Sequence, residues 1–125
     1  MDTMEEIKKI NIVQKLSLFD EYWSPKVIGE LNDCNFQVVK CKGELPWHHH
    51  EDEDEVFLSV KGEFIVRIKG KEFRLKEGEC LFMPKGVEHQ TCADEEAHII
   101  YISRKGSVNT GNITEARTVS EPDKI

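Results

Sequence analysis

The sequence has no apolar run near the roughly 18 residues that a membrane-spanning helix needs. Its opening residues, MDTMEEIKKI, are charged throughout and lack the apolar core of a secretory signal. Both points predict a cytoplasmic protein with no membrane partner. Positive charge is in deficit: 17 Lys and Arg stand against 24 Asp and Glu, for a formal net charge of −7. Such a chain gains nothing from releasing counterions on a phosphate backbone, which argues against a nucleic-acid partner. CxxC spacing is missing as well. Cys34, Cys41, Cys80 and Cys92 are scattered, as expected of reduced structural thiols, with a redox role for Cys92 beside His89 as the alternative. No amphipathic helix period runs between Val27 and Ser103. Lys61, Arg67, Lys69, Lys71 and Arg74 are spread over hairpins, so no basic cluster or helix N-terminus offers a phosphate site.

What is present fits one soluble domain. The chain has 125 residues, 38% of them apolar and 33% charged, enough for a real core. Short strands recur with glycine turns between them. Val27 to Leu31, Phe36 to Cys41, Val56 to Val60, Phe64 to Lys69, Phe73 to Leu75, Cys80 to Met83, Gln90 to Cys92 and His98 to Ser103 form the series. Phe64, Val66 and Ile68 alternate with Arg67 and Lys69, the period of a half-buried strand. The pattern predicts an all-β sandwich or barrel. Residues 1–26 read as an N-terminal arm, 27–104 as the barrel, and 105–125 as a tail that packs on the surface or is partly mobile. Within the arm, Thr3-x-x-Glu6 reads as a capping box opening a short helix to Ile10. Asn11 to Phe19 reads as a strand or an irregular stretch, and Tyr22 and Trp23 as packing residues of a loop.

The chemistry concentrates in Gly43 to Gly62, GELPWHHHEDEDEVFLSVKG. Alternation points His48 and His50 one way and His49 the other. Glu55 shares a face with Phe57 and Ser59, which sets a carboxylate at the rim of an apolar interior. An isolated buried carboxylate is expensive, and a cation relieves that cost. Glu53 competes with Glu55 for this role, but only Glu55 has six residues between it and Gly62. Asp52 and Asp54 read as solvated rim, and His49 as exposed. Trp47 either covers the mouth or packs. Farther on, Pro84 and Gly86 in GECLFMPKGVEH fix a turn that can aim His89. His98 reads as a satisfied strand histidine, with pocket lining as the alternative. Phe57, Phe64 and Met83 are core.

Together these residues resemble the cupin superfamily. Its first motif is matched by Gly43, His48-His49-His50, four residues, Glu55, six residues and Gly62, with four residues between Gly43 and His48. Its second is matched by Gly78, five residues, Pro84-Lys85-Gly86, two residues and His89. Ala93 stands where the motif has Asn, a position that is not a ligand. The resemblance covers Gly43 to Ala93 and implies a double-stranded β-helix, the cupin jelly-roll barrel. It also implies a metal held by His48, His50, Glu55 and His89.

Three imidazoles and a carboxylate suit one divalent transition metal ion, Mn, Fe, Co, Ni, Cu or Zn, better than Ca or Mg. An octahedral ion would keep two open positions for a small-molecule ligand or substrate, whereas a tetrahedral one would be closed and structural. The chain is similar to small single-domain cupins named for the cupin part of mannose-6-phosphate isomerase, a label of fold rather than of sugar activity. The functions in view are a metal-dependent dioxygenase or isomerase-like enzyme, a small-molecule binding or sensor domain, and a structural metal protein. The strand Val56 to Val60, apolar on both faces, predicts a homodimer.

Overall fold

The structure is a computed structural model that describes residues 7–125. The capping box at Thr3 and Glu6 lies outside the described residues, and Ile7 to Ile10 are not helical. The helix of the arm comes later, as α1 (Ile12–Leu16), where the sequence suggested a strand or an irregular stretch. Asn11 explains the shift. Its side chain accepts from the Gln14 backbone N–H at 3.0 Å and caps the first turn. The Ile12 and Leu16 spacing then lays one apolar edge on the sheet, where Leu16 and Phe19 bury against Ile28, Val38 and Ile100.

Eight strands follow: β1 (Lys26–Leu31), β2 (Cys34–Glu44), β3 (Glu55–Lys61), β4 (Phe64–Ile68), β5 (Lys71–Leu75), β6 (Cys80–Met83), β7 (His89–Arg104) and β8 (Asp123–Lys124). They form one sheet in the order β5-β4-β7-β2-β1-β8, with β3 joined to β6 and β7. The fold is an all-β jelly roll. The sequence divided β7 into two strands, because Asp94, Glu95 and Glu96 break the apolar alternation. Those three residues are exposed, and the backbone continues through them. Its register on β2 slips between Cys41 and Gly43, the signature of a bulge. The first part of β7 pairs with β4, Ile68 opposite His89. The last part pairs with β3, Phe57 opposite Tyr101. One bent strand thereby brings His89 and Tyr101 to the same interior as Glu55.

The inner face is packed with Phe57, Phe64, Val66, Leu75, Val39 and Ile99. On the outer face, Leu58 and Val60 pack against the cluster under α1. Part of the cover that the doubly apolar β3 requires therefore comes from this chain itself. Gly62 has a specific reason to be glycine. Its φ is +75°, and a β-carbon would stand 2.9 Å from the Glu96 carbonyl oxygen and 3.3 Å from the Ala97 α-carbon. The turn after β3 can close against β7 only without a side chain there. Among the described residues no helix is long and apolar enough to cross a membrane.

Candidate metal centre

His48 and His50 sit on the loop from β2 to β3, Glu55 opens β3, and His89 opens β7. The loop is fixed by main-chain bonds. The His48 N–H donates to the His89 carbonyl and the His89 N–H to the His48 carbonyl, each at 2.9 Å. The Gly86 N–H donates to the His50 carbonyl at 2.7 Å, which staples the Pro84–Gly86 turn to the same loop. Asp54, read from the sequence as rim, accepts from the Lys85 N–H at 2.9 Å and secures that turn.

These ties gather three imidazoles. His48, His50 and His89 each offer a ring nitrogen within 4.8 Å of the other two, a group that can hold a metal ion. Glu55, outside that group of three, lies against two of them from β3. Its Oε2 lies 2.9 Å from His50 Nε2 and its Oε1 3.5 Å from His89 Nε2. All four side chains are buried: His48 is 2% exposed, His50 5%, Glu55 2% and His89 0%.

The outer ring nitrogens set the tautomers. His48 Nδ1 lies 2.8 Å from the Pro46 carbonyl, and His89 Nδ1 lies 2.9 Å from the Val87 carbonyl. A carbonyl only accepts, so each Nδ1 carries the proton and each Nε2 keeps its lone pair for the centre. His50 Nδ1 faces Glu53 at 3.5 Å and Ser107 Oγ at 3.4 Å. This outer shell has the form that orients metal-ligating histidines.

The inner atoms are left without partners. His50 Nε2, His89 Nε2 and Glu55 Oε1 are buried and make no hydrogen bond. The 2.9 Å contact between His50 and Glu55 is close but misaligned. Buried polar atoms are nearly always satisfied, so three unpartnered atoms set close together fit the ligand set of a metal ion. Electrostatics agrees. Burial pushes the His48 pKa down to about 4, despite the Pro46 carbonyl and the Glu55 charge. Burial opposes ionisation of Glu55, but the neighbouring His50 and His89 rings and the Tyr101 hydroxyl outweigh it and bring the carboxyl to about 2. Burial also opposes charge on His50, and Glu55 and Glu53 overcome it and raise its pKa.

The structure separates the other candidates. His49 points toward Glu51, 3.5 Å away, and Glu53 meets His50 from outside the cluster. His98 is buried elsewhere and satisfied by Glu96 at 2.6 Å. Trp47 is exposed and lies on a surface groove with Arg67 and Glu88. Cys92 is buried, and that burial raises its thiol pKa. A small, almost wholly apolar cavity of about 30 Å³ adjoins His48 and Glu55, lined by Trp23, Leu45, Phe57 and Phe64 among others.

Sequence reasoning missed Tyr101. Its hydroxyl donates to Glu55 Oε2, and its ring stacks on Phe57 at 5.7 Å. Burial, then the Glu55 charge, holds its pKa well above the usual phenol range, so it serves as a donor. With Oε2 taken, Oε1 is the free carboxylate atom. Only the register of Phe57 on Tyr101 reveals this contact.

A jelly-roll barrel with three buried histidines gathered where they could hold a metal ion defines the class of protein to which the chain belongs. The chain belongs to the Cupin_2 (cupin domain) family, whose model matches residues 35–103. It is similar to a solved cupin-2 domain containing protein from Shewanella frigidimarina, 44% identical with a TM-score of 0.75, covering 76% of this chain and 93% of that one. It is 42% identical over 65 residues to the uncharacterized protein YdbB of Bacillus subtilis, covering 51% of this chain and 58% of that one. It is 35% identical over 68 residues to the tetracenomycin polyketide synthase protein TcmJ of Streptomyces glaucescens, covering 54% and 46% respectively. The chain thus spans about half the length of these curated relatives.

Proposed function

We propose that this cupin holds one divalent transition metal ion through His48, His50, Glu55 and His89 and uses it to bind or act on a small molecule. The observation that carries the reading is the set of buried, unpartnered atoms His50 Nε2, His89 Nε2 and Glu55 Oε1 around one point. A bound ion would supply a Lewis acid or, if redox-active, an electron donor and acceptor. The chain's own residues prepare the site. The Pro46 and Val87 carbonyls fix two imidazoles, and Tyr101 holds Glu55 by Oε2.

The apolar cavity beside His48 suits a small neutral group more than a phosphate or a sugar acid. The likeness to a polyketide synthase protein fits a small organic ligand. A volume of about 30 Å³ exceeds the roughly 10–15 Å³ that one water requires, yet admits only part of a larger molecule. That size favours a second reading, a binding or sensor domain without turnover. Four free thiols suit a reducing cytoplasm. Elemental analysis of protein purified without a tag is expected to find one transition metal ion per chain. A protein that stays empty after incubation with Mn, Fe, Co, Ni, Cu and Zn in turn would sink the proposal.

The same reading includes a homodimer. Phe82, Val56, Ile102 and Phe36 are paired across β6, β3, β7 and β2, so they form one apolar row on the outer face. Phe82 is 71% exposed. Sedimentation is expected to give twice the chain mass, and Phe82→Asp to give the chain mass. A monomeric parent protein would exclude this surface as the interface.

A further inference from the structure

We propose that the segment after β7, Ser107 to Asn112, is a working wall of the metal centre, in which Ser107 and Asn112 position His50 and the His48–His50 backbone for the ion. This rests on the metal reading above.

Ser107 touches the site from outside: its Oγ lies 3.4 Å from His50 Nδ1, the ring nitrogen that faces away from the cluster. Asn112 acts on the backbone. The His49 N–H donates to Asn112 Oδ1 at 2.9 Å, and the Asn112 N–H donates to the His49 carbonyl at 3.1 Å. Those reciprocal bonds fix the residue between two of the imidazoles. Because neighbouring side chains on an extended backbone point to opposite faces, holding His49 outward helps hold His48 and His50 inward.

Gly111 shows how closely the segment fits. Its φ is +56°, and a β-carbon would stand 2.2 Å from the His49 carbonyl oxygen and 3.0 Å from His48 Cδ2. Only glycine permits that approach. The segment is also anchored within itself and to the barrel. Thr110 is fully buried, and its hydroxyl bonds the Ile113 carbonyl at 2.6 Å and Thr118 Oγ1 at 2.7 Å. Asn109 donates to the Trp23 and Arg117 carbonyls, accepts from the Val119 N–H, and lines the apolar cavity. The wall lies beyond residues 35–103, the stretch matched by the family model.

A purely structural cover and a positioning wall differ in what the smallest substitution does. Ser107→Ala removes one oxygen. Zinc and cobalt affinities, measured by competition with a chromophoric chelator, are expected to fall roughly tenfold, as when an outer-shell partner of a ligand is lost. The thermal midpoint of the metal-free variant is expected to stay at the parent value. Ser107→Thr keeps the hydroxyl and is expected to restore parent affinity. Asn112→Ala is expected to weaken both metals and to speed amide exchange at His49. Gly111→Ala should act most strongly, and if it does not fold, the other two variants still decide. Affinities within about twofold of the parent for both Ser107→Ala and Asn112→Ala would overturn the inference alone. A parent protein that binds neither metal would overturn the metal reading and this inference with it, before any variant is made.

Discussion

His89→Ala is expected to yield a folded protein that retains no metal. His89 contributes one of the three clustered ring nitrogens and is the most deeply buried of them. Without it, Glu55 Oε1 loses an imidazole 3.5 Å away, and the Val87 carbonyl loses the ring proton it accepts. Loss of an outer-shell partner costs about 10- to 100-fold in metal affinity, and loss of the ligand itself should exceed that, to about a thousandfold or more. The fold should survive, because the mutual His48 and His89 backbone bonds do not use the ring. Metal content after dialysis, together with circular dichroism, checks both halves. His49→Ala is the control, since His49 faces Glu51 outside the cluster, and it is expected to keep the metal. Parent-level metal in His89→Ala would remove His89 from the ligand set.

The alternation of Phe64, Val66 and Ile68 was legible as a strand because β4 is buried on the face those residues share. The two motifs were legible because their glycines take positive φ, and Gly62 in addition closes against Ala97. The spacing of His48, His50 and His89 singled out imidazoles that the structure gathers into one group, with Glu55 against His50 and His89 but outside that group. What escaped was whatever depends on distant pairing. Tyr101 meets Glu55 because β7 lies beside β3, and no local pattern encodes that register. The single strand β7 was hidden by three exposed acids whose backbone continues regardless of side-chain polarity. The five-residue helix α1 is too short to announce itself by periodicity and depends on the Asn11 cap and on contact with the sheet. Ser107 and Asn112 lie in a stretch without periodicity, where only proximity in space gives a polar residue its role.

Acid is expected to act on the metal and on the empty protein by different groups. In the empty protein His48 stays neutral down to about pH 4 and Glu55 stays ionised down to about pH 2. Neither holds a proton that a metal would have to displace near neutrality. His50 does, because Glu55 and Glu53 raise its pKa above the ordinary 6.5. Metal binding must release that proton, so apparent affinity is expected to fall at least about tenfold per pH unit below 6.5. Titration calorimetry in two buffers of different protonation enthalpy counts the protons. Glu53→Gln removes one of the charges that raise His50 and should move the midpoint to lower pH. Affinity independent of pH between 7 and 5 would contradict the assignment.

Stability of the empty form follows its own course. His48 has a depressed folded pKa, so its contribution is complete above 6.5 and is lost as pH falls toward 4, a change of roughly 3 kcal/mol. His50 has the opposite sign. Its contribution is complete below 6.5 and is lost as pH rises through its raised folded value. Glu55 adds a further loss between about 4.5 and 2. Urea midpoints of the metal-free protein should therefore peak near or just above pH 6.5 and decline on both sides. Saturating metal should suppress the alkaline decline, because the ion replaces the His50 proton as the partner of Glu55. A metal-free midpoint that rises steadily from pH 6.5 to 4 would show that His48 is not held neutral by burial.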